Sequence, residues 1–194
     1  NPKPFCGFSD ITTLLLMIYK KTGLITYHAP MAQVDFNIEP LQRTFTTDNF
    51  FKTIKNPCLS YIGEKIYKNG NADGILWGGN LSTVVSLCGQ DFIPKENFIF
   101  FAEDLNEPVY KIDKMFYQLI NISDFKKYCK GIILGDFLNT DNENWLNDLF
   151  LEISEKLNVP TVSGFKITHS DDKITLPIGA KTEIMDLILN IKHM

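Results

Sequence analysis

The chain has 194 residues and a mass of 22.2 kDa, enough for one domain or two small ones and for a core that needs no staples. Hydrophobic residues make up 44% and charged residues 22%, which excludes a disordered or low-complexity chain. A net charge of −4 with a pI near 5.4 argues against a general nucleic-acid binder, which carries a basic face. Arg43 is the only arginine, so bidentate guanidinium recognition has a single possible donor. The longest apolar run, Ile11 to Tyr19, is about half of what a membrane span requires and is closed by Lys20-Lys21. Asn1 to Pro4 lack the basic and apolar regions of a secretory signal. Cys6, Cys58, Cys88 and Cys129 form no CxxC pair and read as reduced, mostly buried thiols of a cytoplasmic protein. His28, His169 and His193 are far apart and show no HExxH or HxH spacing, so neither a metal nor another cofactor is expected.

In chain order, Phe5-Cys6-Gly7-Phe8 is a short strand-like piece. A helix is predicted from Ser9 or Asp10 as cap, through Lys20-Lys21 at its negative end, to Gly23 in the left-handed position. Leu24 to Tyr27 reads as a strand. Residues 35 to 60, with Pro40, Pro57 and a polar cluster at Thr44 to Asn49, read as a linker with a helix starting near Thr47. Ile75-Leu76-Trp77 precedes a Gly78-Gly79-Asn80 turn, and Asn80 is placed to cap a helix over Leu81 to Cys88. Phe98 to Phe101 is a continuous apolar run, the mark of a strand buried on both faces, and Gly131 to Phe137, with Ile132-Ile133-Leu134, reads as a second buried strand. Helices are predicted over Ile112 to Ile120 and around Trp145 to Leu157, the second with a capping box at Thr140 and Glu143. Strand-like pieces follow at Thr161 to Ile167 and Ile174 to Leu176. Strands alternating with helices define an α/β class.

Three stretches carry candidate chemistry. In Gly7-Phe8-Ser9-Asp10 the strand turns into a helix, where N–H groups favour developing negative charge. A nucleophile elbow uses the same layout, although Ile11 replaces the second glycine of GxSxG. Glu103-Asp104 closes the buried strand at the end where open α/β sheets hold ligands. His169 lies in a polar stretch before Leu176-Pro177-Ile178-Gly179. By pattern alone Ser9 also reads as a helix cap, Glu103 as a turn carboxylate, His169 as an exposed side chain, and Glu107 and Asp113 as solvated or structural acids. The order Ser, Glu, His is compatible with a hydrolase triad but does not establish one.

The blocks Gly7-Phe8-Ser9-Asp10-Ile11-Thr12, His28-Ala29-Pro30-Met31, Gly78-Gly79-Asn80-Leu81, Phe101-Ala102-Glu103-Asp104-Leu105-Asn106-Glu107-Pro108, Ile112-Asp113, Gly131 to Gly135 and Thr175 to Gly179 occur in this order. Together they resemble the LD-carboxypeptidase family, which includes muramoyltetrapeptide carboxypeptidases and microcin C immunity peptidases. The resemblance implies Ser9 as nucleophile, Glu103 and His169 as its catalytic partners, and the N–H of Asp10 as oxyanion donor. It also implies Asn80, at a helix N-terminus, as a substrate-binding candidate beside its plain structural reading. Thr168 stands where the family has glycine before the histidine.

The implied activity is release of terminal D-alanine from murein tetrapeptides in peptidoglycan recycling. An immunity-type peptidase and a non-catalytic binding or dimerisation fragment are the alternatives. The expected architecture is the end of an α/β nucleophile domain (residues 1–35), a linker (36–60) and a compact mixed α/β C-terminal domain (61–194). The resemblance implies an upstream α/β domain with a glycine-rich turn that supplies the other oxyanion donor, so a missing N-terminal segment is an expected partner, as is a second copy in a homodimer. Leu14 to Ile18 is the apolar surface expected to face such a partner. No nucleic-acid or membrane partner is expected.

Overall fold

A computed structural model of the chain describes residues 3–36 and 44–193. Pro40, Arg43 and the opening of the expected linker lie outside them. Strand β1 (Phe5–Gly7) leads through extended Phe8 into a 3-10 turn at Ser9–Ile11 and then α1 (Thr12–Thr22). Gly23 ends α1 at φ +70°, its N–H donating to the Tyr19 carbonyl at 2.8 Å, as the glycine predicts. Next come β2 (Thr26–His28), α2 (Ala32–Asp35), α3 (Thr44–Lys55), β3 (Cys58–Ile62), β4 (Lys65–Lys68) and β5 (Asn71–Asn80). They are followed by α4 (Leu81–Val85), β6 (Phe98–Leu105), α5 (Val109–Ile120), α6 (Ser123–Tyr128), β7 (Cys129–Leu138) and α7 (Glu143–Leu157). β8 (Thr161–Ser163), β9 (Leu176–Ile178), β10 (Lys181–Met185) and β11 (Ile188–Lys192) complete the mixed α/β fold.

An eight-stranded sheet runs in the order β3-β11-β10-β5-β6-β7-β8-β4. Its centre, β5 to β8, is parallel, and antiparallel strands flank it. A smaller sheet pairs β1 parallel to β2, and β2 antiparallel to β9. The first strands thus meet a segment from the far end of the chain. Residues 44–60, expected within the linker, hold α3 and the start of the sheet-edge strand β3.

Phe98, Ile99, Phe100 and Phe101 are fully buried, as their unbroken apolar run requires of a strand covered on both faces. The Phe100 ring lies 5.8 Å from Trp77, 5.1 Å from Phe125 and 6.4 Å from Phe116, an aromatic layer that dominates the core energetics. Within the expected apolar face of α1, Leu15 and Leu16 are buried and Leu14 is exposed. The thiols differ from expectation. Cys129 is buried, Cys88 is half-buried, and Cys6 and Cys58 are exposed, because short edge strands carry the latter two. Among the described residues, no helix is long and apolar enough to cross a membrane.

The capping box at Thr140 is not formed. Asn142 caps α7 instead, its side-chain oxygen accepting the Trp145 N–H at 3.1 Å. Asn142→Ala is expected to lower the unfolding free energy by about 1 kcal/mol, the usual cost of a lost cap, read from urea denaturation midpoints.

Candidate active site

The serine turn is built by its neighbours. A Cβ on Gly7 would lie 2.3 Å from Ile11 Cγ2, so only glycine lets the first residues of the helix fold back over the strand. Ser9 itself has φ +52°. For a side-chain-bearing residue that conformation costs roughly 1–2 kcal/mol, strain that recurs where a catalytic atom must be aimed. Ile11 N–H donates to the Phe8 carbonyl at 3.0 Å, the first bond of the turn. The N–H groups of Ser9 and Asp10 therefore sit at the open helical end. Gly79 brings this turn against β5. A Cβ there would lie 2.4 Å from Thr12 Cγ2, and the Thr12 hydroxyl accepts the Asn80 N–H at 3.3 Å. Gly78-Gly79-Asn80 is thus the end of a strand, where the sequence reads as a turn.

Glu103 lies near the C-terminal end of β6, in register with Asn80. Strand alternation sends Glu103 and Phe101 to one face and Asp104 to the other. His169 joins Glu103 and Ser9. Its Nδ1 lies 2.7 Å from Glu103 Oε2 and its Nε2 3.4 Å from Ser9 Oγ. An ionised carboxylate only accepts, so Nδ1 carries the proton and Nε2 faces the hydroxyl as an acceptor. Burial raises the Glu103 pKa, and the bond and charge of His169 oppose that rise. Glu103 Oε1 is buried with no hydrogen-bond partner among the described residues. The Asn80 amide lies close enough to favour the carboxylate. Phe8 packs edge-on against His169, with centroids 4.7 Å apart.

Asn80 is buried and its polar atoms are engaged locally. Its oxygen caps α4 through the Thr83 N–H at 3.1 Å, and its amide donates to Asp104 Oδ1 at 3.0 Å. Asp104 Oδ2 in turn accepts the Ser82 N–H at 2.8 Å. The acidic pair at the strand end is therefore divided between the His169 bond and the start of α4. Glu107 pairs with Lys111 at 3.2 Å, one helical turn on.

His28 is a feature that sequence reasoning left without a role. It is fully buried between Phe8 and Phe101, at centroid distances of 4.6 and 5.3 Å, and neither ring nitrogen has a partner among the described residues. Burial first, then the charges of His169 and Lys173, push its pKa down to about 3 from an ordinary 6.5. The folded state therefore holds His28 neutral while the unfolded chain takes up a proton below about pH 6.5. That stability is complete above pH 6.5 and is lost as pH falls toward 3, about 5 kcal/mol in all at 1.36 kcal/mol per unit. His28→Phe keeps the ring contacts and removes the titration. Its unfolding free energy, followed by urea melts from pH 7.5 to 4, is expected to fall less than the wild type's by about 3 kcal/mol. Parallel curves would contradict the assignment.

A serine on a strained strand-to-helix turn, an imidazole in contact with it and a buried carboxylate behind that imidazole form a Ser-His-Glu constellation on a mixed α/β fold. Residues 73–184 match the C-terminal domain model of the LD-carboxypeptidases, and residues 1–29 match the N-terminal domain model. The chain belongs to the LD-carboxypeptidase family. It is 36% identical over 192 residues to a probable murein peptide carboxypeptidase of Bacillus subtilis, covering 93% of this chain and 59% of that protein. It is 28% identical over 218 residues to the Microcin C7 self-immunity protein MccF of Escherichia coli, covering 95% of this chain and 63% of that protein. The crystal structure of muramoyltetrapeptide carboxypeptidase from Oxalobacter formigenes superposes with a TM-score of 0.85 at 29% identity, over 98% of this chain and 69% of that one. The chain thus spans about three fifths of the length of the curated relatives it matches.

Proposed function

We propose that the protein is a serine-type LD-carboxypeptidase that releases terminal D-alanine from murein tetrapeptides. The observation that carries this reading is the bridging imidazole, 2.7 Å from Glu103 Oε2 and 3.4 Å from Ser9 Oγ. In this mechanism His169 Nε2 takes the Ser9 proton as Oγ attacks the carbonyl carbon. The Asp10 N–H donates to the resulting oxyanion. Glu103 holds the Nδ1–H tautomer and stabilises the imidazolium. Collapse breaks the C–N bond, and His169 returns the proton to the amine of the departing D-alanine. Water, deprotonated by the same imidazole, then frees the acyl serine. The proposal includes Asn80 as a substrate-side residue, acting through the end of α4, together with a cytoplasmic recycling role and a homodimer.

The likeness to MccF favours a second reading, an immunity-type peptidase that cleaves an aminoacyl-nucleotide conjugate. The chain is to be assayed alone and together with the N-terminal domain of the family, on a murein tetrapeptide and on an aminoacyl sulfamoyl adenosine. D-Alanine release is the expected result. Cleavage of the nucleotide conjugate alone would select the second reading, and turnover of neither by the reconstituted pair would overturn both.

A further inference from the structure

We propose that Lys173 is a positioning residue for His169, its buried ammonium fastening the loop that carries the imidazole to α2, which follows β2; this rests on the hydrolase reading above. The loop is closed at its base by Ile174 N–H donating to the Lys166 carbonyl at 2.9 Å. Its outer side is held by one hydroxyl of α3. Thr46 Oγ1 donates to the Asp171 carbonyl at 2.7 Å and accepts the Lys173 N–H at 3.0 Å. Its inner side is held by Lys173, whose Nζ lies 2.9 Å from Asp35 Oδ1, with side-chain exposures of 4% and 0%. The other oxygen of Asp35 accepts the Met31 N–H at 2.7 Å, fixing the carboxylate at the start of α2.

The same ammonium sits 4.8 Å from the centroid of Phe8. That ring precedes Ser9 in the chain and packs edge-on against His169 at 4.7 Å. Lys173 therefore touches, through one aromatic ring, both residues that must meet, and it lies four positions along the loop from the imidazole. Stability alone does not account for such a pair. Desolvating two charges costs about as much as their attraction returns, and apolar replacements of buried ion pairs are often neutral or stabilising. What the pair supplies is a single register. An ammonium held by a fixed carboxylate and an aromatic face has one position, whereas an apolar side chain slides. By contrast, the Lys166–Asp172 pair on the outside of the loop, at 2.8 Å, is about half exposed, and a pair of that kind constrains little.

The test compares wild type, Lys173→Met and the double variant Lys173→Met with Asp35→Asn, which removes both charges if the single variant does not fold. Three quantities are measured on each preparation: kcat per serine titrated with a fluorophosphonate, KM for the tetrapeptide, and the downfield NMR resonance of the His169 Nδ1–H. A positioning role predicts kcat per titrated serine down about 10- to 100-fold, KM within about twofold, and a broadened or lost resonance, even where the double variant melts at the wild-type temperature. Wild-type kcat and resonance in a folded variant would overturn the proposal. Absence of D-alanine release by the wild type reconstituted with the N-terminal domain of the family would count against the hydrolase reading instead, and the resonance alone would then decide the role of Lys173.

Discussion

Ser9→Ala is expected to lower D-alanine release by about 10⁴- to 10⁶-fold, the range seen when the nucleophile of a serine triad is removed. In the proposed mechanism the loss is large because the serine oxygen forms the covalent bond, and among the described residues no other hydroxyl bonds to His169 Nε2. Alanine also suits the helix that follows better than a strained serine does. The positive φ of Ser9 remains unfavourable for alanine, so melting temperature is expected to move little in either direction. Fluorophosphonate labelling should vanish together with turnover, while tetrapeptide binding by calorimetry should survive. Turnover retained within tenfold of wild type would mean that Ser9 is a helix-turn residue, and the hydrolase reading would fall with it.

Much of the fold was legible because its signals are local. Unbroken apolar runs marked β6 and β7, helical spacing marked α5 and α7, and Gly23 marked the end of α1. The antiparallel strands β3, β10 and β11 were missed. They are short and half exposed, and although β10 and β11 form a tight hairpin, each also pairs with a strand more than a hundred residues earlier, β5 and β3 respectively. Thr161 to Ile167 reads as one strand, but pairing ends at Ser163, where Gly164 at φ +89° turns the chain toward the His169 loop. Ser9, Glu103 and His169 could be proposed from residue type and family blocks, whereas their meeting depends on β1, β6 and a loop converging in space. The supporting residues gave no such signal. Asp35, Thr46 and Lys173 are polar side chains in unremarkable polar stretches, and their burial exists only once α2, α3 and the His169 loop have packed together. Asp104 was read with Glu103 as one acidic pair, and only strand alternation separates their partners.

Glu103→Gln is expected to lower kcat by about 10⁴-fold while leaving the protein as stable as wild type, or more stable, at pH 7. The activity loss follows from hydrogen-bond polarity. Where the carboxylate accepts the Nδ1–H at 2.7 Å, the amide can present its NH₂ and turn Nδ1 into an acceptor. The proton then sits on Nε2, which donates to Ser9 Oγ and can no longer take its proton. The amide also lacks the charge that stabilises the imidazolium. Stability moves differently because Glu103 is fully buried and one of its oxygens has no partner among the described residues. Burial raises its folded-state pKa above the unfolded value. A carboxyl shifted in that direction supports the fold while protonated, and loses that support as pH rises through the folded pKa. A neutral amide removes this term, so the gain in melting temperature of the variant over wild type should grow from pH 4 to pH 8. Paired thermal melts and tetrapeptide kinetics on the same preparations test both halves. A variant that is active would show that Glu103 does not set the tautomer. A variant inactive but markedly less stable at pH 8 would show that the ionised carboxylate holds the fold together, with the activity loss a consequence of unfolding.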